Sequence, residues 1–566
     1  MQLTRSKVKD HHIKYIFVTG GVLSGLGKGV ISSSIAKILQ LTGLNVSCVK
    51  IDPYVNYDAG TMNPVAHGEV FVTCDGGECD MDIGNYERFL NIELSRDHNI
   101  TTGRIYSEVI SDERQGKYLG QCVQIIPHVT DAIKNKVRKI AIQEDLDILV
   151  IECGGTVGDI ESLPFLEAFR QMKLEEGDYN TLFVHVTLAP ILDVVGEQKT
   201  KPTQHSLQEL RRIGINPDLL AIRCKNILSD DARRKISLFA NVNSNCVFSC
   251  HDVKSIFLVP EILANQGIVS IIDNKLRLQN LFIKWSNWKL IAKSFSEYSK
   301  EVYIAIVGKY VSLPDSYVSV YQSLSHAAAK LGNKLEVAWI DSEKFDTTPK
   351  QKIPLLKKFD GILIPGGFGK RGSEGIINVA NYAREANVPF LGICFGFQLS
   401  IVSFARNVCG IKNANSTEID PNTSDPIVEF MPEQKTINNM GGTMRLGSHK
   451  ILINSNTIAS KIYSKNCIIR RHRHRFEFNK NYLSVLRKNG MILSGYSDNE
   501  KRTEILEIPK HKFYFAVQYH AEFDSRPGKP EQAFEAFIQN ASLKSRAHKF
   551  YAWHHVMMFS FLHILY

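Results

Sequence analysis

A glycine-rich loop between an apolar run and a helical pattern is the feature that most restricts how this chain can fold. The β-patterned residues 15–19 lead into the glycine-rich stretch 20–29. Apolar residues then recur at helical spacing, namely Ile31, Ile35, Ile38 and Leu39. A strand that passes through glycines into a helix leaves backbone N–H groups free to bind phosphate oxygens. The pattern predicts a nucleotide-binding domain of the α/β class.

The loop differs from a standard P-loop, and the difference bears on metal binding. Lys28 supplies a positive charge for phosphates, but one extra residue separates the glycines and Gly29 stands where a Ser or Thr would hold Mg²⁺. Carboxylates from elsewhere must therefore hold the metal. Glu152 closes the apolar strand pattern 148–151, at the strand end where open α/β sheets bind ligands. Further candidates lie in an acidic stretch that by itself would fit a solvated loop: Asp75, Glu78, Asp80 and Asp82.

A proline-stiffened segment, 199–204, combines two lysines with several hydrogen-bonding side chains. It suits a second polyphosphate, although alone it would be an ordinary polar loop. The α/β alternation restarts at 302–307, after a stretch, 274–300, that is rich in Lys, Asn, Ser and Trp and reads as a connector with a helix. We expect two different modules with a boundary near residue 300.

The second module carries a cysteine in a nucleophile elbow. Residues 390–393 form a buried strand pattern, and Gly392 and Gly396 flank Cys394 at the spacing of a tight strand-to-helix turn. The helix N-terminus that follows lowers the pKa of such a thiol. A lone cysteine is usually a small buried hydrophobe, but this context favours a nucleophile.

The same module offers a base, an orienting carboxylate and an oxyanion hole. His520 and Glu522 end a β-patterned run, and in an extended chain their side chains would point the same way. The strand pattern 361–364 opens into a glycine-rich loop in which the N–H groups of Gly366 and Gly367 could stabilise an oxyanion. The basic run 470–475 suggests a grip on small carboxylates or phosphates.

Composition excludes several other classes of protein. The formal charge of +10, from 68 basic and 58 acidic residues, suits anionic ligands but resembles no nucleic-acid-binding domain. The odd number of cysteines, 11, and their irregular spacing argue against a disulfide framework and fit a reducing cytosol. The aromatic tail 550–566, with His554, His555 and His563, is too short to span a membrane. We prefer a loosely packed or exchanged tail, or an incorrect gene end, to an anchor.

Up to about residue 541 the chain resembles the CTP synthases, in which an amidoligase domain precedes a class I glutamine amidotransferase domain. The resemblance is carried by motifs at 20–29, 50–67, 154–164, 199–205, 441–447 and 471–477. It implies two doubly wound three-layer α/β domains: a P-loop-like synthetase domain (1–273), a connector (274–300) and a flavodoxin-like amidotransferase domain (301–541). A tail of unknown role (542–566) has no counterpart in the family.

The resemblance also implies roles for matching positions. ATP and phosphate contacts would come from Ser24, Gly25, Leu26, Gly27, Lys28, Gly29, Val30 and Lys50, with His251, Asp252 and Val253 near adenine. UTP and the competing product CTP would contact Ser24, Asp159, Ile160, Glu161, Lys199, Thr200, Lys201, Pro202, Thr203, Gln204 and Lys235. Mg²⁺ would be held by Asp82 and Glu152.

In the second domain the resemblance implies a glutaminase triad of Cys394, His520 and Glu522. Glutamine would contact Gly367, Gln398, Glu418 and Arg475. Arg371 lies in a loop that the family associates with GTP as an allosteric activator. The family also implies a cytoplasmic homotetramer able to form filaments.

Some positions depart from the family pattern. Gly25 and His251 look like the eukaryotic branch. Ala521 replaces a usual proline, and Phe395 and Phe397 flank the nucleophile in place of leucine and methionine. None of these residues performs chemistry, so we expect activity to survive.

The implied reaction has three steps. ATP phosphorylates the 4-oxygen of UTP, Cys394 releases ammonia from glutamine, and ammonia crosses internally to displace the phosphate. Two alternatives remain open from sequence. One is an amidotransferase with another acceptor, as in cobyrinate amidotransferases, against which the segment 199–204 argues. The other is a non-catalytic filament or scaffold protein, which the intact Lys28 and Cys394 make improbable.

Overall fold

The computed structural model describes residues 13–191, 196–285, 287–434 and 441–543. The aromatic tail predicted at 550–566 lies outside the described residues, as does most of the predicted segment 542–566. Strands of the N-terminal half are β1 (Lys14–Gly20), β2 (Val46–Asp52), β3 (Phe71–Val72), β4 (Glu78–Cys79), β5 (Asn99–Thr101), β6 (Ile148–Cys153), β7 (Thr181–Leu188), β8 (Leu219–Cys224) and β9 (Val247–His251). Its helices are α1 (Lys28–Leu41), α2 (Pro64–His67), α3 (Met81–Leu90), α4 (Thr102–Arg114), α5 (Thr130–Gln143), α6 (Leu163–Glu176), α7 (Lys201–Arg212), α8 (Asp230–Ala240), α9 (Val259–Asn265), α10 (Ile268–Leu276) and α11 (Trp288–Ser294).

The main sheet of the N-terminal half has the order β5-β2-β6-β1-β7-β8-β9, and its neighbouring strands run parallel. A parallel sheet must be covered on both faces. Alternate residues of β1 accordingly enter two different cores: Ile16 packs with Ile35 of α1, and Phe17 packs with Phe169 of α6. The predicted doubly wound architecture is confirmed for this half. The carboxyl ends of its central strands β2, β6 and β1 lie at one edge of the sheet, and ligands of open α/β sheets bind at that edge.

The C-terminal half contains a mixed sheet in the order β11-β10-β12-β13-β21-β20-β19-β16-β17. The strands of this half are β10 (Lys300–Gly308), β11 (Asn333–Asp341), β12 (Gly361–Ile364), β13 (Phe390–Ile393), β14 (Ala414–Ser416), β15 (Asp425–Phe430), β16 (Arg445–Ile453), β17 (Cys467–His474), β18 (Phe476–Phe478), β19 (Ile492–Ser497), β20 (Arg502–Glu507) and β21 (Tyr514–Val517). Its helices are α12 (Val318–Lys330), α13 (Pro349–Lys352), α14 (Ser373–Glu385), α15 (Phe395–Asn407), α16 (Ile458–Tyr463), α17 (Leu483–Lys488) and α18 (Gln532–Ser542). The first five strands in this order, β11-β10-β12-β13-β21, pair in parallel, and the pairs from β21 to β17 are antiparallel. Cores again lie on both faces.

The connector predicted at 274–300 is attached to the N-terminal half. Trp288, at the start of α11, is buried in the core beside Phe89 and Phe257, and its indole N–H donates to the backbone oxygen of Phe257 at 3.1 Å. This stretch is therefore partly core, because its apolar residues complete the face formed by α1 and α9.

Buried ion pairs join the two halves. Two arginines of the C-terminal half, Arg471 and Arg526, converge on one oxygen of Glu87 in α3, at 2.9 and 2.6 Å. Arg473 pairs with Glu78 at 2.8 Å. A buried charge is tolerated when it is paired in this way, and removal of one partner costs several kcal/mol, about 3–5.

For residues 470–473, these contacts correct the interpretation of the basic run 470–475 as a binding site for small ligands. These residues lie in β17, where Arg470 pairs with Glu531 and His472 hydrogen-bonds to Glu504, both at 3.0 Å. Arg470, Arg471 and Arg473 thus bind carboxylates inside the protein and between the two halves.

The helices in the described ranges include no single one that is long and apolar enough to cross a membrane. The bent pair formed by residues 256–265 and 268–276 would pass by length and composition together.

Candidate active site

The phosphate loop predicted from sequence lies where β1 ends and α1 begins. Gly25 and Gly27 have φ angles of +76° and +86°, in the left-handed region that favours glycine. No side chain caps the N-terminus of α1, so its first N–H groups remain available to an anion. Lys28 is buried and its ammonium donates to the backbone oxygen of Gly155 at 2.7 Å, which holds it beside the loop that follows β6.

The two predicted metal ligands meet at this loop. Asp82 comes from the first turn of α3 and Glu152 from β6, and both contact the ammonium of Lys50 in β2, Glu152 at 3.2 Å. The Asp82 carboxylate occupies the space beside Gly29, since a Cβ at Gly29 would lie 2.0 Å from Asp82 Oδ1. The glycine that lacks the usual hydroxyl is thus the residue that admits a carboxylate from another element.

Two further acidic residues surround Lys50: Asp80, a candidate from the acidic stretch, and Asp52, which sequence reasoning did not assign to the site. Asp80 and Asp52 lie 3.5 and 3.9 Å from its ammonium. Asp52 ends β2, so its position at a strand end was a signal that could have identified it. The rest of the acidic stretch serves elsewhere, because Glu78 pairs with Arg473 and Asp75 with Arg96.

The charges of this cluster fit a divalent cation. Among the described residues, the carboxylates of Asp52, Asp80, Asp82 and Glu152 exceed the ammonium groups of Lys28 and Lys50 by two charges when all are ionised. Burial raises the pKa of Glu152 to about 7, and burial together with the neighbouring Asp80 raises that of Asp52 to about 8. A bound cation would favour the ionised form of both carboxyl groups and so lower both pKa values. The described ranges contain no group of three or more ligating side chains arranged around one point, so phosphate and water oxygens would complete the shell.

The segments expected to contact UTP and CTP fall into two groups. Asp159 accepts a hydrogen bond from the N–H of Thr156 at 2.7 Å, next to the loop that holds Lys28, and Ile160 and Glu161 project outward. Ile160 is 81% exposed. No hydrogen bond or ion pair within the described residues joins these three to the group around Lys199.

The second group lies at the start of α7. The segment 199–204 was predicted as a loop, but its last four residues belong to α7, which begins with Lys201 and Pro202. Lys199 pairs with Glu197 at 2.7 Å. Lys199 lowers the pKa of Glu197, and the charge of Lys235 in α8 adds to this effect. The side chain of Thr203 donates to the backbone oxygen of Leu188, and that of Gln204 donates to the hydroxyl of Thr200, so both stabilise the first turn of the helix.

The segment expected near adenine lies at the end of β9. His251 is its last residue and contacts the hydroxyl of Ser249 at 3.2 Å. Asp252 pairs with Arg223 of β8, and Val253 packs against the core. The segment thus lies at the same edge of the sheet as the phosphate loop, because β8 and β9 run parallel to β1.

Three adjacent parallel strands assemble the second site. β12 leads into Gly366, β13 into Cys394, and β21 into His520. Cys394 has φ +52° and ψ −98°, a conformation sparsely populated by non-glycine residues, and α15 begins at the next residue. The predicted elbow is therefore present. Its thiol is buried and lies 3.6 Å from the backbone oxygen of Arg473.

His520 and Glu522 meet as predicted, but through a different backbone. His520 Nδ1 lies 2.7 Å from Glu522 Oε1, although residues Ala521–Asp524 form a 3₁₀ turn and not an extended strand. Burial alone would lower the pKa of His520, and the charges of Glu522 and Cys394 outweigh it and raise the pKa to about 10. A protonated imidazole beside Cys394 favours a thiolate.

The oxyanion loop and the expected glutamine contacts surround this triad. A Cβ on Gly366 would lie 3.0 Å from the His520 ring and 3.9 Å from Cys394 Cβ, so a larger residue there would crowd the imidazole. Gly367 follows in the same cavity wall. Gln398 donates to the backbone oxygen of Phe476 at 2.9 Å, and Glu418 accepts from the N–H of Gly369 at 2.6 Å. Arg475 lies on the other side, bonded to Gln434 at 2.6 Å.

A lysine that sequence reasoning missed supports the oxyanion loop. Lys309, buried after β10, donates to the backbone oxygens of Phe368 and Gly369. Its own backbone oxygen accepts from Arg371, which also pairs with Glu343 at 2.8 Å. The lysine was not evident from sequence because it is distant from every motif.

A small cavity of ≈ 50 Å³ lies between the triad and the N-terminal half. Cys394, His520 and Gly366 line it from one side, and Pro64, Glu69 and Val70 from the other. A few waters would fill such a space.

Fold and site together define a two-domain glutamine amidotransferase, in which a cysteine glutaminase serves a P-loop-like synthetase domain. Residues 14–278 match the family described as CTP synthase N-terminus, and residues 312–540 match glutamine amidotransferase class-I. The chain belongs to the CTP synthase family, whose reaction is the ATP- and glutamine-dependent amination of UTP to CTP.

Full-length relatives agree with this assignment. The CTP synthase of Pyrococcus furiosus is 52% identical over 93% of this chain and 98% of its own length. That of Methanococcoides burtonii is 50% identical over 95% of this chain and 100% of its own. Among solved structures, the glutaminase domain of Trypanosoma brucei CTPS with bound acivicin is 36% identical, covering 44% of this chain and 96% of that one, with a TM-score of 0.40. The eukaryotic character suggested by Gly25 and His251 stays a prediction.

Proposed function

We propose that this protein divides its reaction between two sites: phosphoryl transfer at Lys28, Lys50, Asp82 and Glu152, and glutamine hydrolysis at Cys394, His520 and Glu522. The observation that carries the proposal is the cavity that contains Cys394 and reaches the N-terminal half. Ammonia released at the Cys394 thiol can therefore enter a cavity that borders the synthetase domain.

The phosphate loop 24–30 and Lys28 bind ATP phosphates, with residues 251–253 toward the base. UTP, and CTP as a competing product, are held by residues 159–161, 199–204 and Lys235. The proposal includes the homotetramer that the family resemblance implies. Mg²⁺, held by Asp82 and Glu152, would supply charge neutralisation for the transferred phosphoryl group.

In the glutaminase, Glu522 holds His520 in its protonated form, and His520 delivers a proton to the nitrogen that leaves. Cys394 forms the thioester, and the N–H groups of Gly366 and Gly367 stabilise the oxyanion. Gly367, Gln398, Glu418 and Arg475 position glutamine. Loop residue Arg371, through its bond to Lys309, is suited to convey GTP activation to the oxyanion loop.

We also propose the domain limits 1–273 and 301–541 with a connector at 274–300 and a tail at 542–566, and a cytoplasmic location. Filament formation is part of the same proposal.

Substitution of the nucleophile tests the division of labour. Cys394→Ala should abolish CTP formation from glutamine, because no thioester forms. CTP formation from added ammonium chloride should stay within about twofold of wild type, because the phosphate site is untouched. Loss of both activities in a folded variant would refute the division.

A further inference from the structure

The cavity between the triad and the N-terminal half is lined by one polar side chain from the N-terminal domain for which the chemistry above has no role. Of the three lining residues contributed by that domain, Pro64 and Val70 are apolar and Glu69 carries a carboxyl group. Glu69 is 8% exposed, so its carboxyl is withdrawn from solvent. Burial of a carboxyl group is costly, and it calls for partners or a purpose.

The position of Glu69 is fixed from the other domain. Its backbone N–H donates to the backbone oxygen of Asp315 at 2.9 Å. Its side chain accepts from the hydroxyl of Ser319 and, at 3.3 Å, from the N–H of Ser319 in the first turn of α12. Arg88 in turn donates to the Ser319 hydroxyl at 3.1 Å. The carboxyl group thus stands at a helix N-terminus, which stabilises negative charge.

One oxygen of this carboxyl retains acceptor capacity. Oε2 accepts from both donors of Ser319, whereas Oε1 accepts only the longer bond from the Ser319 N–H among the described residues. A carboxylate oxygen offers two lone pairs, so Oε1 can accept a further N–H.

We propose that Glu69 is an ammonia-binding residue, which holds the nitrogen released at Cys394 before it enters the synthetase domain. This inference rests on the proposed division of labour between the two sites. The ligand is a small neutral molecule with three N–H donors and one lone pair, and the cavity of ≈ 50 Å³ admits a few molecules of that size. No bond is made or broken at Glu69, since the proton that frees the nitrogen comes from His520.

The electrostatic surroundings agree with this role. Burial raises the pKa of Glu69 to about 8, with the negative charge of Glu522 adding to it and the bonds from Ser319 and the charge of Arg88 opposing it. The carboxylate form accepts an N–H of ammonia through Oε1.

Glu69→Gln is the test, because it preserves the shape and one carbonyl oxygen for Ser319 but replaces the free acceptor with an amide nitrogen. Glutamate and CTP are measured in the same reaction with glutamine, ATP and UTP. We expect glutamate formation within about twofold of wild type and the CTP-to-glutamate ratio reduced about fivefold, the size expected for loss of one hydrogen bond. The missing nitrogen should appear as free ammonia.

Glu87→Gln is the matched control. It is the same substitution at another buried carboxylate of the N-terminal domain, in the same domain interface but outside the cavity. Its CTP-to-glutamate ratio should stay near wild type. If it lowers the ratio as much as Glu69→Gln does, Glu69 acts through domain docking and the inference is wrong.

Two further results separate the possible failures. Ser319→Ala, which removes the hydroxyl that orients Glu69, should lower the ratio by a smaller factor, and this variant decides the matter if Glu69→Gln does not fold. An unchanged ratio in either folded variant of this pair would overturn the inference. Failure of the division of labour itself would show in the wild type, as CTP formation from glutamine that does not follow glutamate.

Discussion

Replacement of Glu522 by glutamine should move the pH dependence of glutamine hydrolysis. Glu522 Oε1 lies 2.7 Å from His520 Nδ1, and both groups are buried. The amide keeps the size of the side chain but removes the charge that favours a protonated imidazole.

The size of the effect follows from the pKa of His520. The rise from the ordinary 6.5 to about 10 corresponds to about 5 kcal/mol of favourable interaction with the protonated ring. Burial opposes this rise, and the charge of Glu522 is the largest favourable contribution to it. Loss of about half of the interaction would cost about 2.5 kcal/mol, which is roughly a hundredfold in kcat/KM for glutamine.

The direction of the pH shift is also fixed. His520 is protonated below its pKa, so the active pair of imidazolium and thiolate is lost as pH rises through about 10 in the wild type. Without Glu522 the pKa falls toward its ordinary value, and the alkaline limb of the activity profile moves to lower pH.

The assay is glutamate formation from glutamine between pH 6 and 10, with ammonia-dependent CTP synthesis as the internal control. That control should remain within about twofold of wild type at each pH, because Glu522 is not part of the phosphate site around Lys28 and Lys50. A rate loss with an unmoved alkaline limb would show that Glu522 does not set the protonation of His520.

Four other substitutions test the phosphate loop, the metal ligands and the interface between the two domains. Lys28→Ala should reduce ammonia-dependent CTP synthesis at least about a hundredfold, because it removes the buried charge at the phosphate loop, while thioester formation on Cys394 persists; substantial residual synthesis would contradict the assignment. Asp82→Asn and Glu152→Gln should each raise the Mg²⁺ concentration for half-maximal synthesis about tenfold or more, and an unaltered Mg²⁺ titration in both would indicate another ligand set. Glu87→Gln should lower stability by about 3 kcal/mol, since it removes the carboxylate partner of buried Arg526 and leaves Arg471 with Asp524 alone, and an unchanged melting temperature would argue against this.

Local patterns in the sequence were sufficient for the elements that carry the chemistry. A strand, a glycine-rich loop and a helix lie next to one another in the chain, so the phosphate loop with Lys28 could be recognised directly. The same holds for Cys394, whose flanking glycines Gly392 and Gly396 mark the elbow. Even the absence of a hydroxyl at Gly29 predicted that carboxylates from elsewhere approach this loop, and Asp82 does so.

Contacts between distant segments were decided only by the tertiary structure. The composition of the basic run 470–475 suggests ligand binding, yet Arg471 pairs with Glu87, which lies 384 residues earlier. Asp80 at the start of α3 and Glu152 at the end of β6 gather around Lys50 of β2, and Glu69 reaches the cavity of Cys394 because two domains pack together. The sequence alone shows neither how deeply a charged side chain is buried nor which residue it pairs with. Both depend on how distant segments and the two domains pack against each other.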